Sequence, residues 1–408
     1  MRFSSIFSGA LISFVAASFG LASTLSDGSV TATALDPNLT RSFHGIAYSP
    51  SGVILPNCGA TQEAVTNDVL LLAQLTPRIR TYASDCNQTL YIFEAIRQTN
   101  ADLMVWIGIY LSTGTDIDTV YERQWTAIES VINEYGTKNI GGITVGNEFL
   151  LLSYGDGTAT DATGVAARTT LLSYVTKAKA ALSALDLNVT IPVGTSDAGS
   201  AATLALCEGV DYYQANVHPW FGSVDYRGAA AWTFNFFEKF DVEVCAPASN
   251  NPTMYIAETG WPTSSDNASD ATNGAGSPAS IVGLQTFMDE FNCQANANNT
   301  EYFFFEFKDE TWKEIYGGVE PHWGLFYPNR TLKAITIPEC EVSSPLNGTV
   351  AQLVFPSSGS TAAQTSSGAS PSSTSSTDAS SASRSGTQLG AGLSTVLSLS
   401  MGLATLLL

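Results

Sequence analysis

The chain has 408 residues, 44% of them hydrophobic and only 13% charged, with 37 acidic against 17 basic side chains for a formal net charge of −20. Such a balance disfavours nucleic acid and anionic polymers, so no nucleic-acid partner is expected and a neutral ligand is the class to look for. The length and the apolar fraction suffice for one large core. Taken in order, residues 1–22 read as a secretory signal peptide. Arg2 is its one charge, residues 6–21 are apolar but broken by serines, and small residues around Gly20-Leu-Ala22 suit cleavage.

Residues 38–345 form the expected domain. Eight apolar, β-rich runs appear in it, at 43–48, 78–82, 103–110, 140–148, 189–194, 212–218, 254–258 and 302–307. Most are continuous rather than alternating, as parallel strands buried on both faces should be. Helical periodicity fills the intervals: Val65, Val69 and Leu72 share one face, as do Val120, Ile128, Val131 and Ile132, and Asp116 and Asp118 precede the second set where a helix dipole favours them. Strand then helix, eight times, predicts an α/β fold, a single (β/α)8 TIM barrel. An open doubly wound sheet is the alternative, weakened because no glycine-rich phosphate loop follows the first strand.

Beyond the barrel, residues 346–383 become a Ser/Thr-rich stalk that cannot bury a core. Residues 384–408 end in an apolar tail with no basic residue after it, the pattern of a glycosylphosphatidylinositol propeptide removed from the mature protein. Attachment is expected at one of Ser380, Ser381, Ala382 or Ser383, giving a secreted protein held at the outer face of the plasma membrane or in the wall. The rival is a true tail anchor. Six cysteines, at 58, 86, 207, 245, 293 and 340, all fall inside the domain and predict disulfides, with fifteen pairings open. None forms a CxxC and the three histidines are isolated, so no metal or cofactor is expected. Seven sequons, at Asn38, Asn87, Asn188, Asn267, Asn298, Asn329 and Asn347, fit a glycosylated surface.

A barrel delivers the C-terminal ends of its strands to one face, where active sites sit. The expected ends are Tyr48, Tyr82, Tyr110, Asn147-Glu148, Ser196-Asp197, Asn216 with His218-Pro-Trp220, Glu258 with Trp261, and residues 306–313. Carboxylates, amides and flat rings are what a sugar cleft needs. Glu148 and Glu258, on the fourth and seventh strands, would face each other across a bound sugar, one protonated and one ionised.

These motifs resemble glycoside hydrolase family 17, the β-1,3-glucanases, in its fungal wall-bound branch. The resemblance rests on Arg80-Thr-Tyr82, Val145-Gly-Asn-Glu148, Ala257-Glu-Thr-Gly-Trp-Pro262 and His322-Trp-Gly-Leu-Phe-Tyr-Pro328, in that order and at barrel spacing. It implies Glu148 as proton donor and acid/base, Glu258 as nucleophile, Asn147 on the 2-hydroxyl of the cleaved sugar and Tyr82 beside the nucleophile. The substrate implied is β-1,3-glucan, cut internally by a monomer. Two departures stand out. Asn216-Val-His-Pro219 replaces the plant Asn-Val-Tyr-Pro, so His218 either bonds the sugar or nucleophile or is a satisfied core histidine. Asp309-Glu310-Thr-Trp-Lys313 is shifted by an aromatic, which offers Glu310 and Lys313 as substrate contacts and Trp312, with Trp261, as sugar platforms. Capture of the same intermediate by a sugar hydroxyl would make the enzyme a transglycosylase. A non-catalytic wall glucan-binding protein is a third reading, and a chitinase is disfavoured by the lack of an Asp-x-x-Asp-x-Asp-x-Glu pattern.

Overall fold

A computed structural model describes residues 23–24, 30–155 and 157–356. The expected leader at residues 1–22, the expected anchor propeptide at 384–408 and the attachment window from Ser380 to Ser383 lie outside the described residues. Eight parallel strands close into a barrel: β1 (Ile46–Ala47), β2 (Arg78–Arg80), β3 (Met104–Ile109), β4 (Ile140–Asn147), β5 (Val193–Ala198), β6 (Tyr212–Asn216), β7 (Thr253–Thr259) and β8 (Tyr302–Phe304), with β8 pairing to β1. Closure removes the open-sheet alternative. The helices α1 (Gln62–Leu75), α2 (Gln88–Thr99) and α3 (Ile117–Tyr135) follow the first three strands. Val65, Val69 and Leu72 are buried against the barrel, as are Val120, Ile128, Val131 and Ile132. Two helices, α4 (Phe149–Tyr154) and α5 (Ala162–Ala184), separate β4 from β5.

Strand-then-helix does not repeat eight times. Between β5 and β6 there is only the single turn α6 (Leu204–Cys207) beside a 3-10 turn. Between β6 and β7 the helix α7 (Ala229–Phe237) runs through a π turn at Glu238–Val242 into α8 (Glu243–Cys245), and α9 (Ile281–Ala297) precedes β8. No α-helix follows β8 among the described residues. Gly317, Gly318, Pro321 and Pro328 break that stretch into 3-10 turns at Thr311–Ile315 and Glu320–His322. The fifth strand is also displaced from 189–194 to Val193–Ala198. Val189 is exposed and Pro192 lacks an N–H, so a paired inner strand starts only after it.

The ordered body reaches beyond 38–345 at both ends. Ala32 is buried, its N–H donating to Asn67 Oδ1 at 3.3 Å. The segment after residue 340 crosses the floor of the barrel instead of starting a stalk at 346. Gly348 N–H donates to Asp102 Oδ1 at 3.0 Å and Val354 N–H to Thr99 O at 2.8 Å, while Arg41 pairs with Asp102 at 2.8 Å. Three disulfides settle the pairing as Cys58–Cys86, Cys207–Cys245 and Cys293–Cys340, the last tying α9 to this segment.

The lumen is packed with rings. Trp106 from β3 meets Phe303 from β8 at 5.3 Å and Tyr255 from β7 at 5.8 Å, and Tyr255 meets Tyr212 from β6 at 5.7 Å. These strands are not all neighbours, so the contacts cross the interior. Small residues opposite make the room: a Cβ on Gly194 would lie 2.3 Å from the Tyr212 ring. Below this plug Arg78 bonds His44 O and Ser343 O, and above it polar side chains gather at the C-terminal ends of the strands.

Candidate active site

Each strand end sets one group. β4 is apolar through Val145 and ends at Asn147; Glu148 then takes a left-handed backbone with φ 52° and becomes the first flank of α4. A non-glycine residue in that region costs about 1–2 kcal/mol and needs support from its surroundings. Part of that support is the Glu148 N–H donating to Ser196 O at 3.0 Å. β7 places Glu258 beside Asn216 of β6, its register partner. The Asn216 amide donates to Glu148 Oε1 at 3.0 Å. Arg80, at the end of β2 and fully buried, donates through Nη1 to Glu258 Oε1 at 3.2 Å and to Asn216 Oδ1 at 3.4 Å, and through Nη2 to Asn147 Oδ1 at 2.8 Å. The two carboxylates from β4 and β7 therefore meet in one polar network at the barrel mouth.

Their proton affinities diverge. Burial raises the Glu148 carboxyl above the usual range and the Glu258 charge raises it further, against the Asn216 hydrogen bond. Burial pushes Glu258 the same way, but the hydrogen bond from His218 and the Arg80 charge outweigh it and hold this carboxyl below its ordinary value. His218 Nε2 lies 3.1 Å from Glu258 Oε2, and its ring stands edge-on to Phe221, Phe305 and Trp323. Of the readings open for His218, a contact with Glu258 is present. Tyr82 is also in place: Arg80 lies over its ring at 4.5 Å, and burial followed by the Glu258 charge raises its hydroxyl well above 10.

Other expected contacts are placed differently. Trp261 is 0% exposed, edge-on to Trp220 at 5.3 Å, with its indole N–H donating to Pro278 O at 3.0 Å; it is core and offers no face to a sugar. Glu310 and Lys313 are buried and bond each other at 2.7 Å, with Glu306 3.0 Å from the same ammonium. Glu310 directly precedes the 3-10 turn that carries Lys313, so each is first a partner of the other. Burial and the Glu310 charge push the Glu306 carboxyl well above the usual range, against the Lys313 ammonium. Trp312 remains half-exposed, edge-on to Tyr316 at 6.0 Å, and Tyr110 at the end of β3 is 41% exposed. All seven sequon asparagines are exposed. Among the described residues, no group of three or more His, Cys, Asp or Glu side chains is placed to hold a metal ion.

Sequence reasoning placed Asn216 and Glu306 among the strand ends and Arg80 inside a motif but gave none of them a role, and it left out Glu320, whose carboxyl burial raises. The one available signal was alternation: Arg78 and Arg80 share a strand face, and a second arginine one layer above the first has to find anions at the mouth.

The description "BtgE/BtgC glycoside hydrolase domain" matches residues 45–324. A glucan endo-1,3-beta-glucosidase btgC from Emericella nidulans is 33% identical over 319 residues, and its btgC counterpart from Aspergillus niger is 36% identical over 318. Each alignment covers 74% of this chain but only 47% and 44% of the relative, so the chain spans about half the length of the curated relatives it matches. Among solved structures, an active-site mutant of a Rhizomucor miehei beta-1,3-glucanosyltransferase in complex with laminaritriose superposes with a TM-score of 0.57 at 24% identity, covering 73% of this chain and 98% of that one. An endo-laminarinase from Formosa gives 0.58 at 17%, covering 78% and 95%. At these identities the two structures establish the fold.

Proposed function

The chain belongs to the BtgE/BtgC glycoside hydrolase domain family, and on that premise we propose that it cleaves β-1,3-glucan internally with retention, Glu148 acting as acid/base and Glu258 as nucleophile. The observation that carries this reading is the opposed proton affinity of two carboxyls joined through Asn216 and Arg80. In the first step Glu258 attacks the anomeric carbon while Glu148 gives its proton to the departing sugar oxygen. In the second, water attacks the glycosyl–Glu258 ester, Glu148 takes the water proton, and the Glu258 carboxylate is released. Asn147 binds the 2-hydroxyl, with Tyr82 and His218 beside the nucleophile and Trp312 as an outer platform. The names of the btgC relatives support β-1,3-glucan as substrate. Three disulfides and seven exposed sequons support work outside the cell; a lipid-anchored monomer at the plasma membrane's outer face and in the wall is the reading proposed from the C-terminal sequence pattern.

The test is product analysis of the purified protein on β-1,3-, β-1,4- and β-1,6-glucans, with the anomer of the first product read by NMR. Shorter β-1,3 products that appear first as the β-anomer are expected; an α-anomer would overturn retention. Chains longer than the starting laminari-oligosaccharide would identify transfer to a sugar hydroxyl in place of water.

The same pair fixes a pH profile. Glu258 must be ionised, and its lowered pKa keeps it so until the pH falls below the ordinary carboxyl range. Glu148 must be protonated, and its raised pKa keeps it so above that range. A bell with a mildly acidic plateau in kcat/KM is expected. A rate that is flat from acidic to alkaline pH would exclude this pair.

A further inference from the structure

The end of β5 supports the acid/base from behind. Ser196 O accepts the Glu148 N–H, and Ser196 Oγ lies 3.2 Å from Asn216 Oδ1, on the residue whose amide holds Glu148. The next residue, Asp197, is fully buried and reaches the start of α4. Its Oδ2 accepts the Leu150 N–H at 2.8 Å, and its Oδ1 accepts the Leu151 N–H at 3.2 Å and its neighbour Ala198's N–H at 3.0 Å. The first N–H groups of a helix have no partner inside it and attract a carboxylate. Glu148 stands immediately before those N–H groups, in the N-cap position of α4, yet its own side chain makes no capping bond. Its carboxyl goes instead to Asn216. The Asp197 carboxyl, which burial pushes up to about 7, comes from another strand and has taken the capping role that would otherwise compete for the acid/base.

We propose that Asp197 is a positioning residue for the acid/base: by capping α4 from β5 it holds the left-handed turn at Glu148 and keeps that carboxyl aimed into the mouth. The inference rests on the acid/base role given to Glu148 above. The titratable groups around Asp197 are Glu148 itself and the phenols of Tyr154 and Tyr213. Neither phenol is cationic, so only backbone N–H groups hold the Asp197 carboxyl, and removing it frees two helix donors for Glu148.

The test compares two substrates that differ in their need for a proton. A laminari-oligosaccharide has a poor leaving group and needs the acid; a 2,4-dinitrophenyl β-laminarioligoside does not. For Asp197→Ala, kcat/KM on the oligosaccharide is expected to fall roughly 10²-fold, the low end of a general-acid contribution, and on the dinitrophenyl substrate less than about 3-fold. The alkaline limb should also move to lower pH, because a Glu148 carboxylate that caps its own helix is stabilised as the anion. Asp197→Asn keeps one acceptor oxygen and should retain part of the activity; it also serves if the alanine variant does not fold. An equal loss on both substrates, or an unmoved alkaline limb, would overturn the proposal. Glu148→Gln, run alongside, separates the two levels. If it discriminates between the substrates and the Asp197 variants do not, only the positioning role fails; if it does not discriminate, the acid/base assignment fails, and this inference with it.

Discussion

Replacing Glu258 by alanine is expected to lower kcat/KM on β-1,3-glucan by roughly 10³- to 10⁶-fold, the range seen when an enzyme loses its nucleophile, with the barrel still folded. The rate falls because the neighbouring carboxyls are engaged elsewhere. Burial and the Glu258 charge raise the Glu148 carboxyl, which is held by the Asn216 amide, and Glu306, also raised by burial, has its Oε1 on Lys313. The fold survives because Arg80 keeps its bonds to Asn147, Asn216 and Ala257 O, so the guanidinium is not stranded when one of its acceptors goes. Burial also opposes the Glu258 charge, so its removal relieves a desolvation cost as well as losing an ion pair. Retention of a single cooperative thermal transition checks the second half of the expectation. Azide checks the roles. In Glu258→Ala it should enter from the face the carboxylate has left and give the α-glycosyl azide; in Glu148→Ala it should replace water at the covalent intermediate and give the β-azide. A β-azide from the Glu258 variant would exchange the two assignments.

The sequence carried the barrel and its pair of carboxylates because both depend on strands buried on two faces. β4 and β7 are nearly unbroken apolar runs that stop at a glutamate, and nothing but a strand end explains a carboxylate there. β5 was misplaced for the opposite reason. Its residues Thr195, Ser196 and Asp197 are buried yet polar, serving β4, β6 and α4 with hydrogen bonds, so the apolar signal slid back to Val189 and Ile191. A strand recruited to support a site loses the pattern by which strands are read. Trp261 failed differently. A tryptophan next to a catalytic motif suggests a platform, but α9 brings Gly283 so close that an added Cβ would lie 2.4 Å from the indole nitrogen. That approach is a fact of packing between segments far apart in the chain. Arg80 illustrates the same limit: alternation with Arg78 aims it at the mouth, but its partners come from the ends of β4, β6 and β7, and no local pattern names them.

Replacing Arg80 by alanine is the other substitution with a large expected effect, and here stability and rate fall together. Arg80 is the cation beside the buried Glu258 carboxylate, and removing one partner of such a pair typically costs about 3–5 kcal/mol. The rate should fall by about 10²–10³-fold, as when one preorganised donor is lost from a site, since Asn147 and Asn216 lose their shared anchor as well. The pH dependence separates this from a general weakening. In the native protein Glu258 has a lowered pKa, so its ionised form adds stability above the unfolded pKa, and that contribution is lost as pH falls through the folded value. Without Arg80, burial is opposed by the His218 bond and the weaker contacts alone, and the carboxyl pKa rises. The ionised form then contributes less stability above the unfolded pKa than it does in the native protein. The stability deficit of the variant should therefore be largest near neutral pH and shrink in acid, and the acid limb of kcat/KM should move to higher pH. Urea unfolding at several pH values and a pH–rate profile measure both. Arg80→Lys should fall between the two proteins, because one ammonium cannot reproduce a fork that reaches Glu258 through one nitrogen and Asn147 through the other. A deficit independent of pH, with the acid limb unmoved, would show that Arg80 holds the fold and does not set the charge of Glu258.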